Sequence, residues 1–283
     1  MNEIEFLDNL LVYNTKYSVT FINQTLQNYN LDGLRIFSAF EEDKIDDFSF
    51  LKDIVGLNEL SFFYFEKVDF SFLYELKKLK KLNIQTLFSE IDFCKLTHLD
   101  SVGIHWNNTN IKNLSSLVNI SYLFIYGFDE NNLTKLRFFK NLKFLSLKDS
   151  KCSSLEGIEN LLNLNGLLLG SFKSLLDISN LASLQKLKYL YFDGCPKIID
   201  FSTLSNLKTL EILELIDCKK IKDILFLKSL YNIIQFSVLG KCEVENIDLL
   251  FNKNIERVYM KNYKSNNTII GKRISFLNLV QQK

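Results

Sequence analysis

The chain has 283 residues, with 34 Lys plus Arg against 33 Asp plus Glu and a formal net charge of +1. That balance argues against a dedicated nucleic-acid binder, which carries a basic excess on one face, while 47% hydrophobic residues supply ample material for a core. No run of about 18 uninterrupted apolar residues occurs, which argues against a membrane span.

In chain order, the opening MNEIEFLDNLL carries acids where a secretory signal would carry Lys or Arg, so a cytoplasmic location is expected. Ile4, Leu7 and Leu11 stand at helical spacing and predict a helix, and KYSVTFI from Lys16 predicts a strand. Together residues 1–30 are expected to form an N-terminal cap. A first L-x-L pair, Leu34 and Ile36, then opens a series whose later members begin at Leu60, Leu82, Val102, Leu123, Leu145, Leu167, Leu190, Leu213, Phe236 and Val258. After a first step of 26 residues, successive steps are 22, 20, 21, 22, 22, 23, 23, 23 and 22, so about ten to eleven repeats fill residues 31–263. Residues 264–283, with Ile274, Phe276 and Leu279, are the expected C-terminal cap of a single domain, 1–283.

Within each repeat the two apolar residues of L-x-L point to one side of a short strand, and the residues between and beside them point to the other. One repeat cannot bury its apolar side alone, so neighbours must stack in parallel around a shared core. Asp47, Asp69, Asp92, Asp177, Asp200, Asp223 and Asp248 recur in one register before an apolar residue. There a carboxylate is placed to accept an orphaned backbone N–H at the start of a short helical turn.

Stretches such as IDDFSFLKDI from Ile45, IDFSTLSNL from Ile199 and IKDILFLKSL from Ile221 resemble the leucine-rich-repeat family, in its short class of internalins and phosphatase regulators. The resemblance implies an α/β repeat solenoid, a horseshoe or arc with a concave parallel β-sheet and short helical or 3₁₀ turns on the convex side. The asparagine usual at the turn after the strand is mostly replaced, by Phe65, Leu87, Phe128, Ser150, Phe172, Cys195, Cys218, Lys241 and Tyr263, with Asn107 the exception. Apolar stacking is therefore expected in place of an asparagine ladder. The five cysteines, Cys94, Cys152, Cys195, Cys218 and Cys242, lack a CxxC pair and are expected as free thiols.

The outward strand positions are what the repeat leaves over. Tyr122, Phe124 and Tyr126 share one strand, Phe144 is on the next, and Tyr189 and Tyr191 follow two strands later. Between them lie Gly166, Leu168 and Gly170, expected to leave a shallow notch. Lys148, Asp193 and Glu214 flank the aromatics, the apolar centre and polar rim of a protein interface. Catalytic and metal constellations are missing from the pattern: His98 and His105 have no Cys or second His at ligand spacing, GLLLGS from Gly166 lacks the Lys of a phosphate loop, and KKLKK at 77–81 places Leu79 at a repeat position. The expectation is a non-enzymatic, cofactor-free module that binds a protein partner through its concave face, and not a nucleic acid, a membrane or a small-molecule substrate. Small stand-alone bacterial proteins of this family resemble immunity proteins, which implies a toxin-neutralising role. A regulatory subunit of an enzyme such as a phosphatase and a self-assembling structural protein are the alternatives.

Overall fold

The computed structural model describes residues 4–38, 45, 47–64, 67–85, 90–106, 109–245, 255–262 and 268–269. The chain divides into two compact units, residues 1–124 and 125–283. Strands in chain order are β1 (Phe6–Leu7), β2 (Leu10–Val12), β3 (Gly33–Ser38), β4 (Glu59–Tyr64), β5 (Lys81–Ile84), β6 (Ile91–Asp92), β7 (Ser101–His105), β8 (Ile111–Lys112) and β9 (Tyr122–Tyr126), which holds the boundary between the units. Unit 2 continues with β10 (Phe144–Lys148), β11 (Gly166–Gly170), β12 (Tyr189–Asp193), β13 (Ile212–Ile216), β14 (Lys219–Ile221), β15 (Gln235–Gly240), β16 (Cys242–Val244), β17 (Arg257–Asn262) and β18 (Thr268–Ile269). Between the strands lie short 3₁₀ turns, and the described residues include one α-helix, α1 (Val19–Tyr29).

The start of unit 1 reverses the helix-then-strand order expected from the sequence. Asp8 and Asn9 both take positive φ, 51° and 63°, which closes β1 and β2 into an antiparallel hairpin with a two-residue turn. The helical spacing of Ile4, Leu7 and Leu11 is therefore coincidental. Next, Ser18 accepts the Phe21 N–H at 3.2 Å and caps α1, and Asn30 ends it in the left-handed region at φ 50°. The β-branched run that reads as a strand packs Ile22, Thr25 and Leu26 inward at helical spacing. β2 then pairs in parallel with β3, Leu11 opposite Leu34. The N-terminal segment is thus itself a first repeat, with a helix as its return path.

From there the register follows the L-x-L series. In unit 1, Leu34, Leu60, Leu82 and Val102 are opposite one another in turn on β3, β4, β5 and β7. In unit 2, Leu145, Leu167, Leu190, Leu213, Phe236 and Val258 do the same on β10 to β13, β15 and β17. These residues are buried, and the core of each unit lies on their side of the sheet. Unit 1 adds a phenylalanine cluster, Phe48, Phe62, Phe70 and Phe72, with Phe48 4.9 Å from Phe72 and 5.1 Å from Phe62 between centroids. In unit 2, β18 turns back antiparallel on β17.

The aspartates cap as expected. Asp47, Asp69, Asp92, Asp177, Asp200 and Asp223 each accept the backbone N–H two residues on, at 2.7–3.0 Å. Hydrogen bonds to the charged form hold three carboxyls below the usual range: the Ser49 hydroxyl and then its N–H at Asp47, the Asn113 amide and then the Cys94 N–H at Asp92, and the Ser202 N–H at Asp200. Asp248, like Ile274, Phe276 and Leu279, falls outside the described residues.

At the turn after the strand, Phe128 and Phe172 are buried as expected, and thiols extend the series. Cys195 Sγ donates to Leu169 O, Cys218 Sγ to Phe192 O and Cys242 Sγ to Leu215 O, at 3.4–3.8 Å. Each thiol thus bonds a carbonyl of the preceding strand in the stack. β15 runs to Gly240, one residue longer than β13, and the buried residue at this place is Cys242 and not Lys241. Burial pushes the Cys195 thiol up to about 12 and Cys152 to about 11, away from reactivity. Asparagine bonds do occur, at the opposite turn: Asn163 donates to Lys140 O and Asn232 to Lys208 O, at 2.9 and 2.8 Å.

Candidate protein-binding face

The outer face of each sheet is the side away from the L-x-L core. In unit 2 its central row runs Ser146, Leu168, Tyr191, Glu214, Ser237 and Tyr259 across successive strands. One flanking row runs Phe144, Gly166, Tyr189, Ile212, Gln235 and Arg257, and the other begins Lys148, Gly170, Asp193 and Ile216.

Several of these side chains are not in solvent. Phe144 keeps only 2% of its surface, because its ring stacks on Tyr189 at 6.3 Å between centroids and 13° between planes. The two residues sit two strands apart, about 10 Å in a flat sheet. They meet because Gly166, between them in register, has no side chain. The notch expected there is filled. Its other end is filled as well: a Cβ on Gly170 would meet Lys148 Cγ at 3.1 Å and Leu168 Cδ2 at 3.5 Å, so those side chains already cover the position. Tyr191 is buried, and so is Glu214, which was expected as a rim charge. Glu214 Oε1 accepts from Gln235 Nε2 at 2.8 Å and Ser237 Oγ at 3.3 Å, and all three residues have no exposed surface.

What unit 2 still presents is Tyr126, exposed, with Leu168, Tyr189, Lys148 and Asp193 half-buried. Burial raises the Tyr189 phenol above its usual value, with nearby Glu211 adding to the shift. Glu211 itself is held by Lys188 at 2.7 Å. Tyr122 and Phe124 belong to unit 1 and are half-buried there. Burial and then Asp100 raise the Tyr122 phenol.

Unit 1 contains a feature that the aromatic pattern does not signal. Its central outer row is Arg35, Ser61, Asn83 and Gly103, in register on β3, β4, β5 and β7. Arg35 Nη2 binds Asp8 at 2.9 Å, and its guanidinium lies 5.3 Å from the Phe63 ring centroid. Arg35 Nε, Ser61 Oγ and Asn83 Oδ1 are shielded from solvent and have no hydrogen-bond partner among the described residues. Each such buried orphan costs about 1–3 kcal/mol. Reading the outward positions back one repeat, to the residue between Leu34 and Ile36, would have brought Arg35 into the row.

The histidines are placed apart. His98 Nε2 is 3.1 Å from Leu76 O, and burial lowers its pKa, while His105 is half-buried on the outer side of β7. Among the described residues no group of three or more His, Cys, Asp or Glu is placed to hold a metal ion, and no helix is long and apolar enough to cross a membrane. In the Lys-rich segment Leu79 is buried, Lys77, Lys78, Lys80 and Lys81 are exposed, and Lys81 pairs with Glu59 at 3.1 Å.

No protein-family model and no curated protein sequence matches the chain. Among solved structures it is similar to an internalin of Listeria monocytogenes, 20% identical over 90% of this chain and 82% of that one, with a TM-score of 0.54. It is also similar to the functional domain of InlJ from the same species, described as including a cysteine ladder, at 16% identity over 83% and 54% of the two chains and a TM-score of 0.54. A leucine-rich-repeat protein of Leptospira interrogans matches at 21% identity over 71% and 60%, with a TM-score of 0.50. At these identities the likeness is one of fold.

Proposed function

We propose that this chain, leucine-rich-repeat in fold, is a non-enzymatic protein-binding module, and that Tyr126, Leu168, Tyr189, Lys148 and Asp193 of unit 2 meet the partner. The observation that carries the reading is Tyr189: half-buried, braced by Phe144 and set on a rigid strand. A tyrosine whose ring is already held by a neighbour loses little entropy on binding, which is why such residues become hot spots. Phe144, Tyr191 and Glu214 serve the face from beneath, by holding its shape. In its finer form the module is an immunity protein that occludes a toxin domain; a regulatory subunit of an enzyme such as a phosphatase is the rival.

Affinity purification from the native cell, with mass spectrometry of the eluate, separates these two. A toxin domain is expected, and overexpression of the chain should then protect against that toxin. Failure to protect sinks the immunity reading. With the partner in hand, Tyr189→Ala should weaken binding by about 1–4 kcal/mol. If Tyr189→Ala and Leu168→Ala both leave affinity intact, the face is misassigned.

A further inference from the structure

We propose that Cys218 and Cys242 are a redox-active pair, closed to an inter-repeat disulfide by exchange with a low-molecular-weight disulfide as the chain folds. The pair acts apart from the outer face and from whichever partner that face meets.

The two cysteines occupy equivalent places in consecutive repeats, at the turns after β13 and β15, and each thiol donates to a carbonyl of the preceding strand in the stack. They also meet each other: the Cys218 N–H donates to Cys242 Sγ at 3.2 Å. In the parallel pairing of β14 with β16, Lys219 is opposite Cys242, which makes Cys218 the diagonal neighbour of Cys242. At ordinary strand spacing and rise, diagonal neighbours have their Cα atoms about 6 Å apart, a separation that a disulfide spans without strain.

The two thiols are also unlike in a way that divides the chemistry between them. Burial raises the Cys152 and Cys195 thiols to about 11 and about 12. The Cys242 thiol is instead lowered, because the hydrogen bond it accepts from the Cys218 thiol outweighs burial. That same bond, and then burial, push Cys218 up. Cys242 is therefore the attacking sulfur and Cys218 the resolving one. Cys242 loses its proton and attacks one sulfur of the small disulfide, whose S–S bond breaks to release a first small thiol. Cys218 then loses its proton and attacks Cys242 Sγ in the mixed disulfide, expelling a second small thiol. Two protein thiols give up two electrons and two protons, and one small disulfide takes them to become two thiols.

In the folded chain Cys218 keeps 0% of its surface and Cys242 1%. The exchange accordingly belongs to the folding chain, before the repeats close over the thiols, and the finished bond is shielded from reductants. It would tie together the ends of β13 and β15, the strands that carry Glu214, Gln235 and Ser237. Restricting the unfolded chain across one repeat adds stability to that part of the stack.

The test refolds the full chain from denaturant, either in a mixture of glutathione and glutathione disulfide or in dithiothreitol alone. Free thiols are then alkylated under denaturing conditions, and peptides are mapped by mass spectrometry. In the glutathione mixture a linked Cys218–Cys242 peptide is expected, with Cys152 and Cys195 alkylated. The oxidised chain should melt several degrees above the reduced one. Cys218→Ser and Cys242→Ser should each abolish the linked peptide and the melting difference, whereas Cys195→Ser should keep both. Cys218 and Cys242 both alkylated after refolding in glutathione would overturn the proposal. So would Cys195 joined to Cys218, or an oxidised chain that melts no higher than the reduced one. The linked peptide and the melting difference are read on the wild-type chain, so neither depends on how well a variant folds.

Discussion

The outer faces of the two units are built on one register and resolve opposite problems. In unit 2 the face closes on itself: Phe144 reaches Tyr189 across Gly166, and Glu214 gathers Gln235 and Ser237. In unit 1 the equivalent row stops short, with Arg35, Ser61 and Asn83 each leaving one polar atom unspent. The difference teaches that the repeat dictates which residues face outward, and says nothing about whether they satisfy one another. A face that does so needs only its shape to be kept. A face that does not carries the cost of its covered, unpaired polar atoms.

Substitutions can break or sharpen this contrast. The largest effect is expected from Phe144→Ala, which removes a buried ring and uncovers Gly166, at about 3–5 kcal/mol in urea unfolding. A cost near zero would mean that packing does not close the unit 2 face. Glu214→Ala should follow, at about 2–3 kcal/mol, because Gln235 and Ser237 lose a buried acceptor. The corresponding loss in unit 1, Asn83→Leu, should cost nothing, and a penalty equal to that of Glu214→Ala would erase the distinction between the faces. A smaller cost than either unit 2 substitution belongs to a device that does not depend on the face at all. Asp200→Ala should cost about 1 kcal/mol as a lost cap. The folded Asp200 carboxyl is shifted down, so its stabilisation is complete above the unfolded value near pH 4 and fades as pH falls through the lower folded value. The stability difference between wild type and Asp200→Ala should accordingly shrink in acid; a difference that grows there would reverse the sign of the argument.

The sequence made the stack legible because Leu60, Leu82 and their successors obey two periods at once, two residues within the strand and about 22 between strands. The aspartate caps were legible for a local reason, since an Asp side chain reaches the N–H two residues away without help from the rest of the fold. The N-terminal reversal was not. Ile4, Leu7 and Leu11 imitate a helix, and the decisive information sits in Asp8 and Asn9, two residues that tolerate positive φ, and in Ser18, whose capping outweighs the β-branched residues after it. Exposure on the candidate site was only half legible. Alternation places Tyr191 and Glu214 outward, but whether a neighbour covers them depends on side-chain sizes in adjacent repeats. The glycine that suggested an opening at residue 166 is what allowed two rings to close it.

That ring pair has a consequence for how such a chain changes over generations. In an ideal stack every repeat touches only its immediate neighbours, and one of about 23 residues could be duplicated or lost by recombination without disturbing the rest. Phe144 and Tyr189 break that freedom, because they touch across an intervening strand and need a glycine beneath them. Deleting β11 would press the two rings onto adjacent strands, and inserting a strand would part them. From β10 to β12 the smallest heritable block is three strands long.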